Sequence, residues 1–261
     1  MELLGDDDLE QSSVIANCRM NRERNLTGAN GYDRELRFNP LDFLRISTTK
    51  GKNARWLDLC CGTGKALAEA AEIVESEGLP IEIVGVDLIE MFAPVKADCL
   101  KFVAESVSEW NPTEPFDLIT CVHGLHYLGD KLRAIQQAAT WLTEHGRFVG
   151  NLDMDNIKLQ GRSASRIVAA ELRRSGFDYS FRKKLIQCEG QKKLSFRFDI
   201  LVRMSKRGQI IPDSQQWTRT TRTQISLKRE TAHRNQWMRW AGIIFKPGEI
   251  IDSGGFSLQE K

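Results

Sequence analysis

The stretch RWLDLCCGTGKALAEAAE, residues 55–72, passes from a strand through a glycine turn directly into a helix. Its first residues, 55–59, are mostly apolar and indicate a short buried strand. After Gly64, one helical stripe carries small and apolar residues at Ala66, Leu67, Ala70, Ala71 and Val74. Glycines in the turn permit positive φ and let another molecule approach the main chain. The stretch therefore predicts an α/β fold with a ligand near the free N–H groups that begin the helix.

The rest of the chain continues this alternation of strands and helices. Further strands are predicted at 81–87, 116–122 and 146–153, and helices at 130–143 and 161–176. Two polar strand-like runs follow, 178–188 and 193–204, joined by a hairpin turn at EGQK. The order predicts a mostly parallel sheet with helices on both faces and an antiparallel hairpin at its end. In such a sheet, ligands bind beyond the carboxyl ends of the strands.

The connection after the strand 81–87 is unusually short. Only residues 88–94 separate it from the next strand-like residues, 95–97. A parallel crossover normally needs ~10–12 residues, including its helix. We therefore expect either a rudimentary helix at this point or a third strand that lies at the periphery of the sheet.

Composition and cysteine usage narrow the class of protein. The 261 residues carry a net charge of +2 and are 41% hydrophobic, as in an ordinary globular protein. Six cysteines include no CxxC pair and no cluster with zinc-ligand spacing, so no metal site is predicted. The N-terminus is acidic, and no run approaches the ~20 apolar residues of a membrane helix. We therefore expect a cytoplasmic protein with reduced cysteines and no association with a membrane.

Asp87 closes the second predicted strand. An acid at this position can accept two hydrogen bonds from a ribose diol, as in nucleoside-binding Rossmann-like folds. A dinucleotide fits less well, because the third glycine of the GxGxxG fingerprint would fall at Leu67. The pattern predicts a ligand that contains a nucleoside and is not NAD.

Five motifs in succession, LDLCCGTG, VGVD, KADC, FDLITCVHGLHYL and GRFVG, carry a family resemblance. Over roughly residues 54–153 the chain resembles the class I S-adenosylmethionine-dependent methyltransferases. The resemblance implies a Rossmann-like, doubly wound, mostly parallel seven-stranded sheet that ends in an antiparallel hairpin. It also implies S-adenosylmethionine as the cofactor.

The resemblance further implies which residues bind the cofactor. They are Asp58, Cys60, Cys61, Gly62, Gly64, Asp87, Leu88, Asp98, Cys99 and Val122. By this resemblance, Asp58 and the Cys60–Gly64 turn contact the methionine part, and Asp87 holds the ribose hydroxyls. Asp98 and the backbone of Cys99 meet the adenine amino group, and Cys121–His123 lines the mouth beside the sulfonium.

Cys60 stands where the family often has glycine. A cysteine side chain is small, and we expect it to fit this position if its φ is negative. Cys61 matches the family, so the cysteine pair requires no redox explanation.

Two histidines follow the strand 116–122, at the place where a methyl acceptor is expected. Neutral His123 or His126 can remove a proton from a hydroxyl or amine acceptor, so both are candidate catalytic bases. The alternative for His126 is that it packs at the start of the following helix. Methyl transfer also proceeds by alignment alone, because the sulfonium is already an activated donor.

Segments on either side of the predicted domain, 54–204, have different characters. Residues 1–53 hold too many apolar residues for a purely disordered arm, and we interpret them as a lid over the site. Residues 205–261 form a basic extension, for which order and disorder both stay open. From residue 203 onward the chain has eleven Lys/Arg against five Asp/Glu. Trp217, Trp237 and Trp240 lie among these arginines, where they could stack on bases.

Three functions are compatible with these features. The first is methyl transfer from S-adenosylmethionine to a small molecule. The second is an RNA methyltransferase recruited through the basic extension, in which case nucleic acid is a partner. The third is a non-catalytic binding module that retains the fold, which the intact motif residues disfavour. The acceptor and the oligomeric state are not predicted.

Overall fold

A computed structural model describes residues 23–48, 52–159, 162–193, 198–202 and 223–227. Its main sheet has seven strands in the order β3-β2-β1-β4-β5-β9-β8. The first five strands in chain order are β1 Ala54–Leu59, β2 Ile81–Asp87, β3 Leu100–Ala104, β4 Phe116–Cys121 and β5 Leu142–Asn151. The two short strands at the other edge are β8 Asp178–Ser180 and β9 Leu185–Glu189.

The strand directions agree with the predicted fold class. Strands β1 to β5 pair in parallel, whereas β9 is antiparallel to both β5 and β8. The predicted doubly wound, mostly parallel sheet of seven strands is confirmed. Chain order reverses between the neighbours β1 and β4, which makes their carboxyl ends the topological switch point, where such folds bind ligands.

Helices cover both faces of this sheet. They are α1 Tyr32–Leu36, α2 Pro40–Thr48, α3 Lys65–Ser76, α4 Lys131–Thr140 and α5 Ser165–Arg174. Buried residues of the first three helices pack with Trp56, whereas those of α4 and α5 pack with Leu57. Successive side chains of a strand point to opposite faces, so the apolar run of β1 serves two separate cores.

The third strand differs from the one expected at 95–97. β3 begins at Leu100 and lies at the edge of the sheet, and residues 88–99, all of them described, contain no helix. In place of a covering helix, the ring of Phe92 stacks on Phe102 of β3, with 4.5 Å between centroids. Aromatic burial thus supplies part of the cover that the short connection lacks.

The C-terminal hairpin is also placed differently from the prediction. The antiparallel pair is β8 with β9, so the turn lies at 181–184 and not at EGQK. The predicted single strand 178–188 is interrupted because Lys184 adopts a positive φ of 49°, a turn conformation.

A second sheet, which the sequence did not predict, contains four strands in the order β10-β11-β6-β7. Its strands are β6 Ile157–Leu159, β7 Arg162–Ser163, β10 Phe198–Val202 and β11 Thr223–Leu227. β10 therefore belongs to a different sheet from β9, which is why EGQK is not a hairpin turn. Residues 1–22 of the predicted lid, and 205–222 and 228–261 of the predicted basic extension with its tryptophans, lie outside the described residues.

Candidate cofactor and acceptor site

The turn after β1 depends on left-handed backbone conformations. Gly62 and Gly64 have φ of 65° and 68°. A Cβ added to Gly64 would lie 2.2 Å from the ring of Phe102, so space as well as φ restricts this position to glycine. α3 begins at the next residue, Lys65, and its first N–H groups face outward from the turn as hydrogen-bond donors.

Cys60 also adopts a left-handed conformation, with φ of 56°. The expectation of a negative φ at this position is wrong. The strained residue is held by close packing between the turns that follow β1 and β4: a Cβ on Gly124 would lie 2.4 Å from Cβ of Cys60. Non-glycine residues persist in such conformations only where their surroundings fix them, and such sites are often functional.

Asp87 links the ends of β1 and β2. The residue is 7% exposed, and its carboxylate accepts hydrogen bonds from the backbone N–H of Gly62 at 2.9 Å and of Ile89 at 3.2 Å. Asp87 therefore holds the glycine turn against the carboxyl end of β2. An ionised carboxylate at this place is the type of acceptor that a ribose diol requires.

Asp58 lies beneath this region. Its side chain is fully buried, with one oxygen accepting a hydrogen bond from the hydroxyl of Tyr32 at 2.7 Å and the other from the hydroxyl of Thr120. Burial raises the pKa of Asp58 to about 7. Both oxygens of Asp58 thus bind the protein's own hydroxyls, and its contact with the methionine part stays a prediction.

Asp98 and Cys99 lie at the amino end of β3, not at its carboxyl end. The backbone N–H of Ile83, in the first half of β2, donates to the carbonyl of Cys99 at 2.7 Å. In the parallel register Asp87 aligns with Ala104, at the other end of β3 from Asp98 and Cys99, which precede its first residue, Leu100. The structure therefore does not bring Asp98 and Cys99 together with Asp87.

The residues that follow the carboxyl end of β3 are Glu105 and Ser106. The backbone N–H of Glu105 donates to the carbonyl of Asp87 at 3.0 Å, so this end of β3 adjoins Asp87. Sequence reasoning missed these positions because it matched the KADC motif rather than the apolar run after it. The run LKFV, residues 100–103, was the available signal for the strand.

His123 immediately follows the buried residue Val122, beyond the end of β4. It has a left-handed φ of 60°, and its backbone N–H donates to Oδ1 of Asn151 at 3.2 Å. Its Nε2 lies 3.0 Å from Oε2 of Glu35. The two strained residues, Cys60 and His123, thus follow the two strands that flank the topological switch point.

Glu35 reaches this point from α1, which belongs to the predicted lid. The hydrogen bond from His123 lowers the pKa of Glu35 below its ordinary value, and Arg24 Nη1 donates to Oε1 of Glu35 at 3.1 Å. Sequence reasoning missed Glu35 because a single acid in a short polar helix carries no pattern that identifies it. Its role depends entirely on where α1 packs.

His126, the other candidate base, lies in a different environment. Its ring centroid is 5.6 Å from that of His123, and burial lowers the pKa of His126 to about 4. An imidazole of such low basicity takes up a proton less readily at neutral pH. Of the two predicted bases, His123 is therefore better suited.

Two further searches concern metals and membranes. Among the described residues, no group of three or more His, Cys, Asp or Glu side chains is arranged to hold a metal ion. In the same part of the chain, no helix combines the length and apolar character needed to cross a membrane.

Comparison with known proteins identifies the family of this chain. A family model described as a methyltransferase domain matches residues 32–162, half of the chain. The chain belongs to this methyltransferase family. The family and the enzyme class predicted from the motifs are thereby confirmed. No curated protein matches the chain.

Two solved methyltransferase structures are among the matches of this chain. CalS10, an amino pentose methyltransferase from Micromonospora echinaspora with S-adenosylmethionine bound, is 21% identical, with a TM-score of 0.35. The match covers 53% of this chain and 55% of that one. The N-methyltransferase NodS from Bradyrhizobium japonicum, in complex with S-adenosylhomocysteine, is 14% identical, with a TM-score of 0.41. That match covers 72% of this chain and 97% of NodS.

Proposed function

We propose that this methyltransferase binds S-adenosylmethionine at the carboxyl ends of β1 and β2 and transfers its methyl group to a small molecule. The observation that carries the proposal is the hydrogen bond between Asp87 and the backbone of Gly62. This bond holds a carboxylate and a glycine turn together beside the switch point, in a chain of the methyltransferase family.

The residues at this site match the chemical parts of the cofactor. The turn that contains Gly62 and Gly64, with Cys60 and Cys61, and the first N–H groups of α3 would hold the polar methionine end. Asp87, beside Leu88, would accept hydrogen bonds from the ribose hydroxyls. We place the adenine near Glu105, and Val122 next to the sulfonium. The donor supplies a methyl group already activated by positive sulfur, so the protein's main task is alignment.

A small acceptor is favoured by the packing around the switch point. α1 contacts Asp58 through Tyr32 and His123 through Glu35, which supports the proposal that the N-terminal segment covers the acceptor. Such a cover limits access to a molecule that fits beneath it, as the lid interpretation proposes. For RNA, the basic extension that would recruit it lies mostly outside the described residues, and no contact within the described part supports this alternative. The five described cysteines are free thiols, which supports the proposal of a reducing, cytoplasmic location.

Calorimetry with S-adenosylhomocysteine tests this proposal. Asp87→Asn removes the charge that would bind the ribose, and we expect the affinity to fall at least about tenfold, as for loss of a hydrogen bond to a charged group. Asp98→Ala is the matched control, because it removes an aspartate at the amino end of β3 and should leave the affinity unchanged. The proposal is contradicted if the wild-type protein does not bind, or if Asp98→Ala weakens binding more than Asp87→Asn does.

A further inference from the structure

The contact between Glu35 and His123 joins two regions that are distant in the sequence. Glu35 lies in α1, whereas His123 follows β4, and both side chains are about 30% exposed. α1 also contacts β5, the strand that ends at Asn151. The contact therefore lies where an N-terminal helix meets the carboxyl ends of the central strands.

His123 is fixed by both its backbone and its side chain. Asn151 accepts a hydrogen bond from its N–H, and its left-handed φ sets the direction in which the side chain leaves the chain. Nε2 points to the Glu35 carboxylate at 3.0 Å. Residues held in this way at a switch point are preorganised, because little further ordering is needed when a ligand arrives.

The carboxylate determines which nitrogen of the ring carries the proton. An ionised carboxylate only accepts hydrogen bonds, so Nε2 must be the protonated nitrogen in the neutral ring. Glu35 is ionised at neutral pH because its hydrogen bond with His123 lowers its pKa. Nδ1 then carries the lone pair, and it makes no hydrogen bond with any described residue. The His123 side chain is 30% exposed, so the ring is in part open to solvent.

We propose that Nδ1 of His123 accepts the proton of a nitrogen or oxygen acceptor, and that Glu35 is the positioning residue that fixes the ring for this role. The inference rests on the proposed function, and it narrows the acceptor to an amine or a hydroxyl compound. His123 is then the catalytic residue, while Glu35 acts only through it. The carboxylate also stabilises the imidazolium that proton uptake creates.

The step balances without any further reagent. The acceptor nitrogen or oxygen uses its lone pair to bond the methyl carbon, and the sulfur–methyl bond breaks with its electron pair staying on sulfur. The proton of the acceptor passes to Nδ1 of His123, and the positive charge that began on sulfur ends on the imidazolium beside Glu35. Release of this proton to solvent restores the ring.

Charged groups of both signs surround this contact. Arg24 and Arg37 act on the Glu35 carboxylate, and the ring of His126 lies beside that of His123. Of these groups, Glu35 alone brings a negative charge into contact with the imidazole. Glu35 therefore favours the imidazolium that proton uptake creates, whereas the neighbouring cations disfavour it.

Nitrogen NMR of the full chain labelled with 15N-histidine tests the pairing without an acceptor. In the wild type we expect the tautomer of His123 that is protonated at Nε2. In Glu35→Gln the charge that fixes this tautomer is gone, and we expect the Nδ1-protonated form to appear beside it. Glu35→Met removes the acceptor altogether and should increase the Nδ1-protonated form further. Glu82→Gln is the matched control, since this glutamate pairs with Arg55 near the amino ends of β2 and β1 and should leave His123 unchanged.

Opposite results overturn the inference. A wild-type His123 protonated at Nδ1 would do so, as would tautomer populations that are the same in wild type, Glu35→Gln and Glu35→Met. A loss of folding in Glu35→Met leaves the Glu35→Gln comparison decisive. Calorimetry with S-adenosylhomocysteine keeps the two proposals apart: binding with an unresponsive His123 refutes only the pair, whereas failure to bind refutes the proposed function.

The class of acceptor is tested with radiolabelled S-adenosylmethionine and the small-molecule fraction of a cell extract. We expect the label in N-methyl or O-methyl products, and at least about a hundredfold slower labelling by His123→Asn, as for loss of a general base. In Glu35→Gln the labelling should also slow, but by less than in His123→Asn, because the base is still present and only its tautomer is no longer fixed. Label in C-methyl products, or labelling as fast in His123→Asn as in the wild type, would contradict the proposal.

Discussion

The two sides of the switch point differ in whether backbone groups or side chains form them. On the side of β1 and β2, backbone conformation dominates: left-handed glycines, free N–H groups and one carboxylate bonded to the turn. On the side of β4 and β5, side chains dominate, and one of them, Glu35, comes from the N-terminal helix. A glycine turn suits a cofactor that stays the same, whereas interchangeable side chains suit an acceptor that differs between enzymes.

Substitution of Gly64 should have the largest effect, because it adds a side chain to the tightly packed turn between β1 and α3. Gly64→Ala combines an unfavourable φ with a Cβ 2.2 Å from the Phe102 ring. We expect a loss of about 2–4 kcal/mol in the free energy of unfolding, from strain and overpacking together. Urea denaturation measures it.

Gly78 provides the control for this prediction. It also has a positive φ, of 61°, but a Cβ there meets nothing within 4 Å. Gly78→Ala should therefore cost only about 1–2 kcal/mol, the conformational part alone. Equal losses for the two variants would show that the approach of Phe102 to Gly64 is unimportant.

The pH dependence of stability should reveal the raised pKa of Asp58, a buried residue of β1. Because burial raises its pKa from 3.8 to about 7, the folded state holds a proton that the unfolded state has released between these values. Its contribution to stability is therefore present below about pH 4 and is lost as the pH rises to about 7. Asp58→Asn cannot titrate, so we expect wild type to lose on the order of 1–3 kcal/mol relative to this variant over the interval.

Urea denaturation of both proteins at pH 4, 5, 6 and 7 measures this difference. Comparison with the variant cancels the other titrating groups, Glu35 among them. A difference that stays constant, or that favours wild type more as the pH rises, would show that the Asp58 pKa is not raised.

Tyr32→Phe should have a smaller effect. It tests whether α1 takes part in binding of the cofactor. The variant keeps the ring beside Trp56 but removes the hydroxyl that donates to Asp58. Burial raises the pKa of Tyr32, so this hydroxyl remains a donor. We expect a loss of about 1–2 kcal/mol in unfolding free energy, as for a buried hydrogen bond, with affinity for S-adenosylhomocysteine changed less than about threefold. Denaturation and calorimetry check both parts; a loss of affinity as large as that of Asp87→Asn would place α1 in the cofactor site.

The sequence predicted the side of β1 and β2 better than the side of β4 and β5. The glycine turn, α3 and Asp87 at the end of β2 follow from local patterns, and the structure contains each of them. The errors lie where a local pattern does not determine the strand boundaries. The pattern predicts strand-like residues at 95–97, whereas the apolar residues of β3 come after them. It also predicts a strand through residues 181–184, where Lys184 turns the chain.

The arrangement on the side of β4 and β5 results from long-range packing, which no local sequence pattern predicts. Tyr32 and Glu35 lie three residues apart on one short helix and contact residues in β1 and after β4. Nothing in NGYDREL indicates those partners. The positive φ of Cys60 is a similar case, because it follows from the contact with the turn at Gly124, 64 positions further along the numbering.

The most direct measurement is a crystal structure of the full chain with S-adenosylhomocysteine. The account predicts both ribose hydroxyls within hydrogen-bond distance of the Asp87 carboxylate, and the amino acid end at the turn between Cys60 and Gly64. A nucleoside bound elsewhere, or one whose sugar has no contact with Asp87, would contradict it.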